Sequence, residues 1–411
     1  MIPAVISDQR VPTIPRDEYA RRREACRAQA RDAGLDGVVA WSTGGGTLDR
    51  FANVFFLTNH YQPQVMSPDG PVWAGFGQAV VVLPVDGAAT LVVDQHDWRT
   101  DLVECDRVVV SRNLYHGATA AIEGSGLATA RIGVADMGRM TAAAYKALCR
   151  ELPGAELVPA DHLLMNQRMI KSPAELELMR HASAVGVETM NAMLTNAVEG
   201  RTDADLVAAG FTTACRLGAQ PYDFAMASGP EDAHLWWARL PSWNWRRAYR
   251  RGDIVHPDIY GAVDGYFYDF VRSTVVGGEP TAAQLDLLEG AIGAIHAACA
   301  AARPGARARD VYAACIAYLN EHGLAPVERS AESEADLTTD ELPCVGHGLG
   351  LGWEEPWIAP QDETVLQPSM VLALEHHVTR PGVGTVRFEE TIVIQDGDPE
   401  ILTRACPARW W

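Results

Sequence analysis

A chain of 411 residues is too long for one ordinary hydrophobic core and implies two domains. Its formal net charge of −19, from 53 acidic against 34 basic side chains, argues against nucleic acid or an anionic membrane as partner. No apolar run approaches the ~20 residues of a membrane span, and the N-terminus lacks the charged-then-apolar layout of a signal peptide, so a cytoplasmic protein is expected. The short basic runs at 21–23 and 246–247 read as solvated faces. Eight cysteines are scattered without close pairing, which fits a reducing compartment and a role for several as small buried hydrophobes.

In chain order, the sequence predicts a helix over 16–34 ending at Gly34, then an apolar strand at 37–41. Strands at 79–84 and 89–93 flank the turn Asp86-Gly87, and strands alternate with helices through 157, which makes an α/β domain. Within it, 53–58 and the polar, aromatic tract 59–76 stand out, and the residues alone leave open an ordinary surface loop or a functional one. After the joint at 168–175, amphipathic spacing predicts a helix over 175–197 with Pro173 near its start. Further helices are expected at 203–217, 281–302 and 308–322. Strands at 253–260 and 266–276 read as a hairpin bringing Asp258 opposite Asp269, and 370–377 with 385–395 as a second such pair. Curved antiparallel sheet covered by helices gives the C-terminal half an α+β architecture.

The chemistry concentrates around the stretch 344–356, where four glycines surrounding His347 leave the backbone free to approach a buried centre. Upstream lies 258–269 and downstream lie 374–376 and 386–391, and together these segments offer one histidine and four carboxylates. Such donors suit hard or borderline divalent ions such as Mn, Fe, Co or Zn, whereas clustered thiolates for softer ions are absent. Four carboxylates balance two divalent cations, and a single ion would leave excess negative charge. Two bridged ions, lowering the pKa of a shared water, are therefore expected.

At these residues the sequence resembles the pita-bread family of metallohydrolases, which includes methionine aminopeptidase, aminopeptidase P and prolidase beside creatinase and sulfoniopropionate-cleaving lyases. The family's first two aspartates lie eleven positions apart around a Gly-Tyr pair, as Asp258 and Asp269 do around Gly265-Tyr266. His347 fits its Gly-His-Gly histidine, Glu375 follows the apolar strand 370–374, and Glu389 follows an arginine and an apolar residue. The resemblance thus implies Asp258, Asp269, His347, Glu375 and Glu389 as metal ligands and Glu375 as the group that receives and passes on a proton. The joint at 168–175 is similar to that of the longer, creatinase-like members. That implies a creatinase-like α/β domain over 1–165, a pita-bread catalytic domain over 166–411, and a homodimer in which 53–76 closes a site. Creatinase itself fits less well, since creatinase-type members have lost the ligands.

The implied reaction is hydrolysis of a C–N bond in a small amino-acid-like or Xaa-Pro substrate, with His234 contacting substrate or moving a proton. The largest departure is Glu354, seven residues after His347, where family peptidases carry a second histidine that stabilises the tetrahedral intermediate. An ionised carboxylate repels an oxyanion, so Glu354 opens an alternative: a metal-dependent lyase of a cationic zwitterion in which Glu354 removes the proton. Six tryptophans, Trp236, Trp237, Trp243, Trp245, Trp353 and Trp357, could line a pocket for such a cation or fill interfaces. His256 shares a strand face with Asp258 and reads as a sixth ligand or a ligand's partner, and alternation turns His377, but not His376, to the face of Glu375. Arg387 and Glu390 read as orienting partners, Tyr266 and Tyr268 as packing, and Cys344 as a poor nucleophile without a visible base.

Overall fold

The computed structural model describes residues 11–44, 51–229, 240–324 and 344–411. The chain divides into two compact units, Ile14–Arg168 and Met169–Trp411, the second joined by residues 11–13. Each is held by its own core.

In the first unit, a six-stranded mixed sheet has the order β4-β3-β2-β1-β5-β6, formed by β1 (Gly37–Thr43), β2 (Gln78–Pro84), β3 (Thr90–Val93), β4 (Arg107–Val110), β5 (Arg131–Ala135) and β6 (Glu156–Pro159). The central strands β1 and β2 are buried almost throughout, as their continuous apolar runs require, while the edge strand β4 alternates between exposed and half-buried. Helix α1 (Arg16–Asp32) stops in a left-handed Gly34, with the Leu35 N–H closing on the Ala30 carbonyl. A short helix α2 (Ala52–Thr58) then follows. Asn113 and Thr141 cap α3 (Leu114–Gly124) and α4 (Ala142–Glu151), accepting from the backbone N–H groups of His116 and Ala144. The tract 59–76 contains neither helix nor strand, and it exposes Val65, Met66, Val72 and Trp73. Helix α5 (Asp161–Met169) ends the unit.

The second unit opens with α6 (Pro173–Thr195), whose start is set by proline at the first turn and by a capping box in which Ser172 and Glu175 satisfy each other's backbone N–H. Helix α7 (Asp203–Arg216) leads into β7 (Gln220–Ser228), a strand the sequence reading left out. A four-stranded sheet then places β8 (Ile254–Val263) between β7 and β10 (Thr274–Val275), with β9 (Tyr266–Val271) also pairing β8. One face of this sheet, carrying Ile259, Tyr268 and Phe270, packs on α6 and α7 through Val185, Met190, Leu206 and neighbours. At Gly186 on α6, any Cβ would stand 2.9 Å from the Tyr268 ring, so only glycine lets helix and sheet approach this closely.

A five-stranded sheet of order β12-β11-β13-β14-β15 comprises β11 (Gly346–Leu349), β12 (Trp353–Trp357), β13 (Val371–Arg380), β14 (Gly384–Val393) and β15 (Glu400–Ile401). It packs against α8 (Ala282–Ala301), which is joined in turn by α9 (Ala308–Glu321). Side chains stitch β14 to the first sheet. Thr391 Oγ1 donates to the Asp269 carbonyl at 2.8 Å, while Ser273 Oγ donates to the Arg387 carbonyl and accepts the Arg387 N–H. Between them lies the fully buried Arg272, which hydrogen-bonds the Glu389 carbonyl, pairs with Glu390 at 3.0 Å, and lies against the ring of Phe388.

A buried charge that loses its partner is costly, so Arg272→Leu should lower the unfolding free energy by about 3–5 kcal/mol. Leucine at both 272 and 390 should cost less, because neither charge is then stranded. Urea unfolding of the three chains checks this, and a single variant within ~0.5 kcal/mol of the parent would contradict it.

Candidate metal centre

Strand geometry decides which side chains converge. The turn Asp264-Gly265, both residues at positive φ, joins β8 to β9 as a two-residue hairpin loop and pairs Val263 with Tyr266. Counting outward from that turn, Asp269 stands opposite Tyr260 and Asp258 opposite Val271. The two aspartates are therefore diagonal neighbours on one face, not directly opposed as the sequence reading had them. In the other sheet, Glu375 on β13 is paired directly with Glu389 on β14.

Ligand atoms of Asp258, Asp269 and Glu389 lie within 4.8 Å of one another, and all three residues are buried. His347 enters from β11 with Nε2 3.7 Å from Asp269 Oδ2. Its Nδ1 lies 3.0 Å from the Gly348 carbonyl, which can only accept, so the proton sits on Nδ1 and Nε2 presents its lone pair toward the carboxylates. Glu375 borders the trio, held at 2.6 Å by an Arg387 guanidinium that also donates to Asp258 at 2.7 Å.

Arg387 is the basic side chain among the described residues that hydrogen-bonds these carboxylates. Burial, then repulsion from Asp258 and Glu375, pushes Asp269 well above the ordinary carboxylate range. Glu389 is pushed up by burial and by Asp269 in the same way, while Asp258 rises to about 6, chiefly through burial and against the pull of Arg387. Burial lowers His347, which stays neutral. One buried oxygen of Glu389 has no hydrogen-bond partner. A lone pair aimed at carboxylates, an orphaned carboxylate oxygen and three mutually repelling acids all fit a bound divalent cation.

Around this centre, Trp353 and Trp357 on the edge strand β12 flank His347, with ring centroids 5.7 and 5.6 Å from the imidazole, and each is 44% exposed. Trp357 is paired with His347, and alternation along β12 puts Trp353 on the same side, with a β-bulge between His347 and Gly348. The Trp353 indole N–H donates to Asp269 Oδ2 at 2.6 Å, and its ring tilts against Tyr260. Of the other tryptophans, Trp243 packs near Phe211 and Trp245 lies beneath Arg246, while Trp236 and Trp237 lie outside the described residues, as does His234.

Glu354 points to the opposite side of β12 from its two tryptophan neighbours. One of its oxygens accepts from Lys171 Nζ at 3.1 Å and the other from the Leu351 N–H at 3.0 Å, and both charged side chains are almost wholly buried. The carboxylate fills the space beside Gly350, where a Cβ would stand 2.7 Å from it. His256 lies on the face of Asp258, and burial and Arg387 lower it to about 3. His377 pairs across with Arg387 on the Glu375 face, whereas His376 is buried on the other face and lowered by burial to about 4. Glu390 belongs to Arg272, Tyr266 donates to Glu175 at 2.8 Å, and burial pushes up the Cys344 thiol, away from nucleophile chemistry.

A family model described as metallopeptidase family M24 matches residues 177–396, and one described as the creatinase/prolidase N-terminal domain matches residues 22–170. The probable dipeptidase PepE of Mycobacterium tuberculosis is 30% identical over 405 residues, spanning 95% of each protein. The Xaa-Pro dipeptidase of Pyrococcus furiosus is 28% identical over 253 residues, 61% of this chain and 67% of that protein. Among solved structures, the dipeptidase PepE from Mycobacterium ulcerans matches with a TM-score of 0.74 at 25% identity, covering 95% of this chain and 96% of its own. The prolidase from Pyrococcus horikoshii OT3 gives a TM-score of 0.75 at 21% identity over 93% and 98% of the two chains, a likeness of fold. A buried acidic centre with one imidazole, carried on a unit that the first model matches over more than half the chain, makes this protein a member of metallopeptidase family M24 with the two-domain creatinase/prolidase architecture, and a metallohydrolase.

Proposed function

We propose that this chain hydrolyses the C–N bond of a small peptide of Xaa-Pro type, using two divalent ions held by Asp258, Asp269, His347, Glu375 and Glu389. The observation that carries the reading is the convergence of three buried carboxylates whose charge Arg387 alone does not offset. Substrate class comes from the relatives, which are named as Xaa-Pro dipeptidases or dipeptidases. Bound at these residues, Mn, Fe, Co or Zn would supply Lewis acidity and an activated water.

The chain's own residues divide the remaining work. Asp258, Asp269 and Glu389 supply anchoring oxygens from adjacent strands, and His347 its Nε2 lone pair. Glu375 is less completely buried than these three, and with one oxygen fixed by Arg387 its other oxygen is free to take a proton from the cleft and return it to the leaving nitrogen. To His234, which lies outside the described residues, we assign the role the family resemblance implies, contacting substrate or moving a proton. Both oxygens of Glu354 are engaged on the far side of β12, so we read it as holding the turn 350–354 through Lys171, and no observation supports its use as the base of an elimination. The exposed apolar side chains between Val65 and Trp73 support a homodimer, which light scattering of the purified protein tests.

Purified protein assayed with Mn(II) or Co(II) should cleave Xaa-Pro dipeptides, and His347→Ala or Asp269→Ala should abolish turnover while leaving the far-ultraviolet circular dichroism intact. Glu375→Gln should reduce kcat by the ~10²–10⁴-fold assigned to a positioned acid or base. A wild type inert toward the whole dipeptide panel at full metal loading would sink the substrate assignment.

Removing Glu354 strands the Lys171 ammonium, so Glu354→Ala should cost about 3–5 kcal/mol of stability. The double variant Lys171→Met, Glu354→Met should recover a large part of that loss and keep kcat within ~10-fold of wild type. A double variant that folds normally and loses the ~10²–10⁴-fold expected of a missing base would return Glu354 to the chemistry.

A further inference from the structure

Asp269 stands nearest to His347, and its carboxylate is held from the edge strand by Trp353. An indole has one donor and no acceptor, so the 2.6 Å contact has a single polarity: Nε1–H donates the hydrogen bond and Oδ2 accepts it. With Asp269 ionised, as a metal ligand must be, it would be charge-assisted and of roughly twice the strength of a neutral bond. The ring cannot swing away freely, because Tyr260 lies at 5.5 Å and His347 at 5.7 Å between centroids. From the other side, Thr391 Oγ1 fixes the Asp269 backbone through its carbonyl at 2.8 Å. Among the described residues Trp353 is the hydrogen-bond donor to the Asp269 carboxylate. The plane of that carboxylate is set by an indole that remains nearly half exposed.

We propose that Trp353 is a positioning residue for the metal centre: its indole N–H occupies one lone pair of Asp269 Oδ2 and orients the remaining lone pairs for metal. The inference rests on the metal reading above and adds a residue outside the five-ligand set. Partners that hydrogen-bond a metal-ligating group set its orientation and basicity, and their loss typically weakens metal binding about 10- to 100-fold.

The test uses the full-length, metal-stripped protein titrated with Co(II), followed by calorimetry and by the visible absorption of the bound ion. Trp353→Phe keeps an aromatic ring against Tyr260 and His347 but has no N–H, and it should bind Co(II) about 10- to 100-fold more weakly with an altered absorption band. Trp353→Gln loses the ring and keeps an N–H donor, and it should recover most of the affinity. Phe binding within two-fold of wild type would overturn the proposal. So would Gln binding as weakly as Phe, because the ring and not the donor would then matter. So too would an affinity loss that merely follows a fall in the melting temperature of the metal-free variants. A wild type that takes up no Co(II) at all would instead count against the two-metal reading on which the proposal rests.

Discussion

Glu375 and Glu389 face each other across a strand pair, and Asp258 and Asp269 approach them from a second sheet. Like charges directly opposed in a sheet repel, and burial removes the water that would screen them. Such an arrangement persists only if protons or cations neutralise it. The upward displacement of Asp269, Glu389 and Asp258 is the protonic answer, and a divalent ion is the other. Much of the second unit serves to impose this juxtaposition. Arg272, Ser273 and Thr391 tie β14 to β9, so that neither sheet can move apart to relieve the repulsion.

The supports around the centre are themselves charged and buried, which makes the site exacting. Arg387 is shared between Asp258 and Glu375, so its guanidinium orients two of the clustered carboxylates at once. Behind β14, Arg272 engages the carbonyl of Glu389 and the side chain of Glu390, a neighbour in sequence whose side chain faces the other way. Two adjacent glutamates on one strand thus have unrelated surroundings, one in the carboxylate cluster and one against Arg272. Alternation along the strand separates them.

How much of this was legible in the sequence follows from where the information lies. The β8–β9 hairpin was visible because Asp264-Gly265 is a strong local turn signal, yet the same two-residue loop fixes the diagonal register that a count of eleven positions does not reveal. The helices beginning at Pro173 and Ala282 were legible from apolar spacing, and from Pro173 in the first case, which put their starts at 175 and 281. The strands β11 and β12 were hidden in a glycine-rich stretch that reads as a turn, and the bulge between them has no sequence signature. Lys171 could not be found at all: it meets Glu354 across 183 residues, and nothing near either position announces the other. A departure from a family pattern at Glu354 was plain in the sequence, but its compensation was tertiary.

The central claim is that the carboxylate cluster is built for two cations. Anomalous diffraction from crystals grown with Mn(II) tests it directly. The account predicts two anomalous peaks within bonding distance of Asp258, Asp269, Glu389, Glu375 and His347 Nε2, with Arg387 displaced no further than its hydrogen bond to a ligand carboxylate allows. Absence of any peak, with the Arg387 guanidinium still bridging Asp258 and Glu375 and the trio closed around protons, would contradict it.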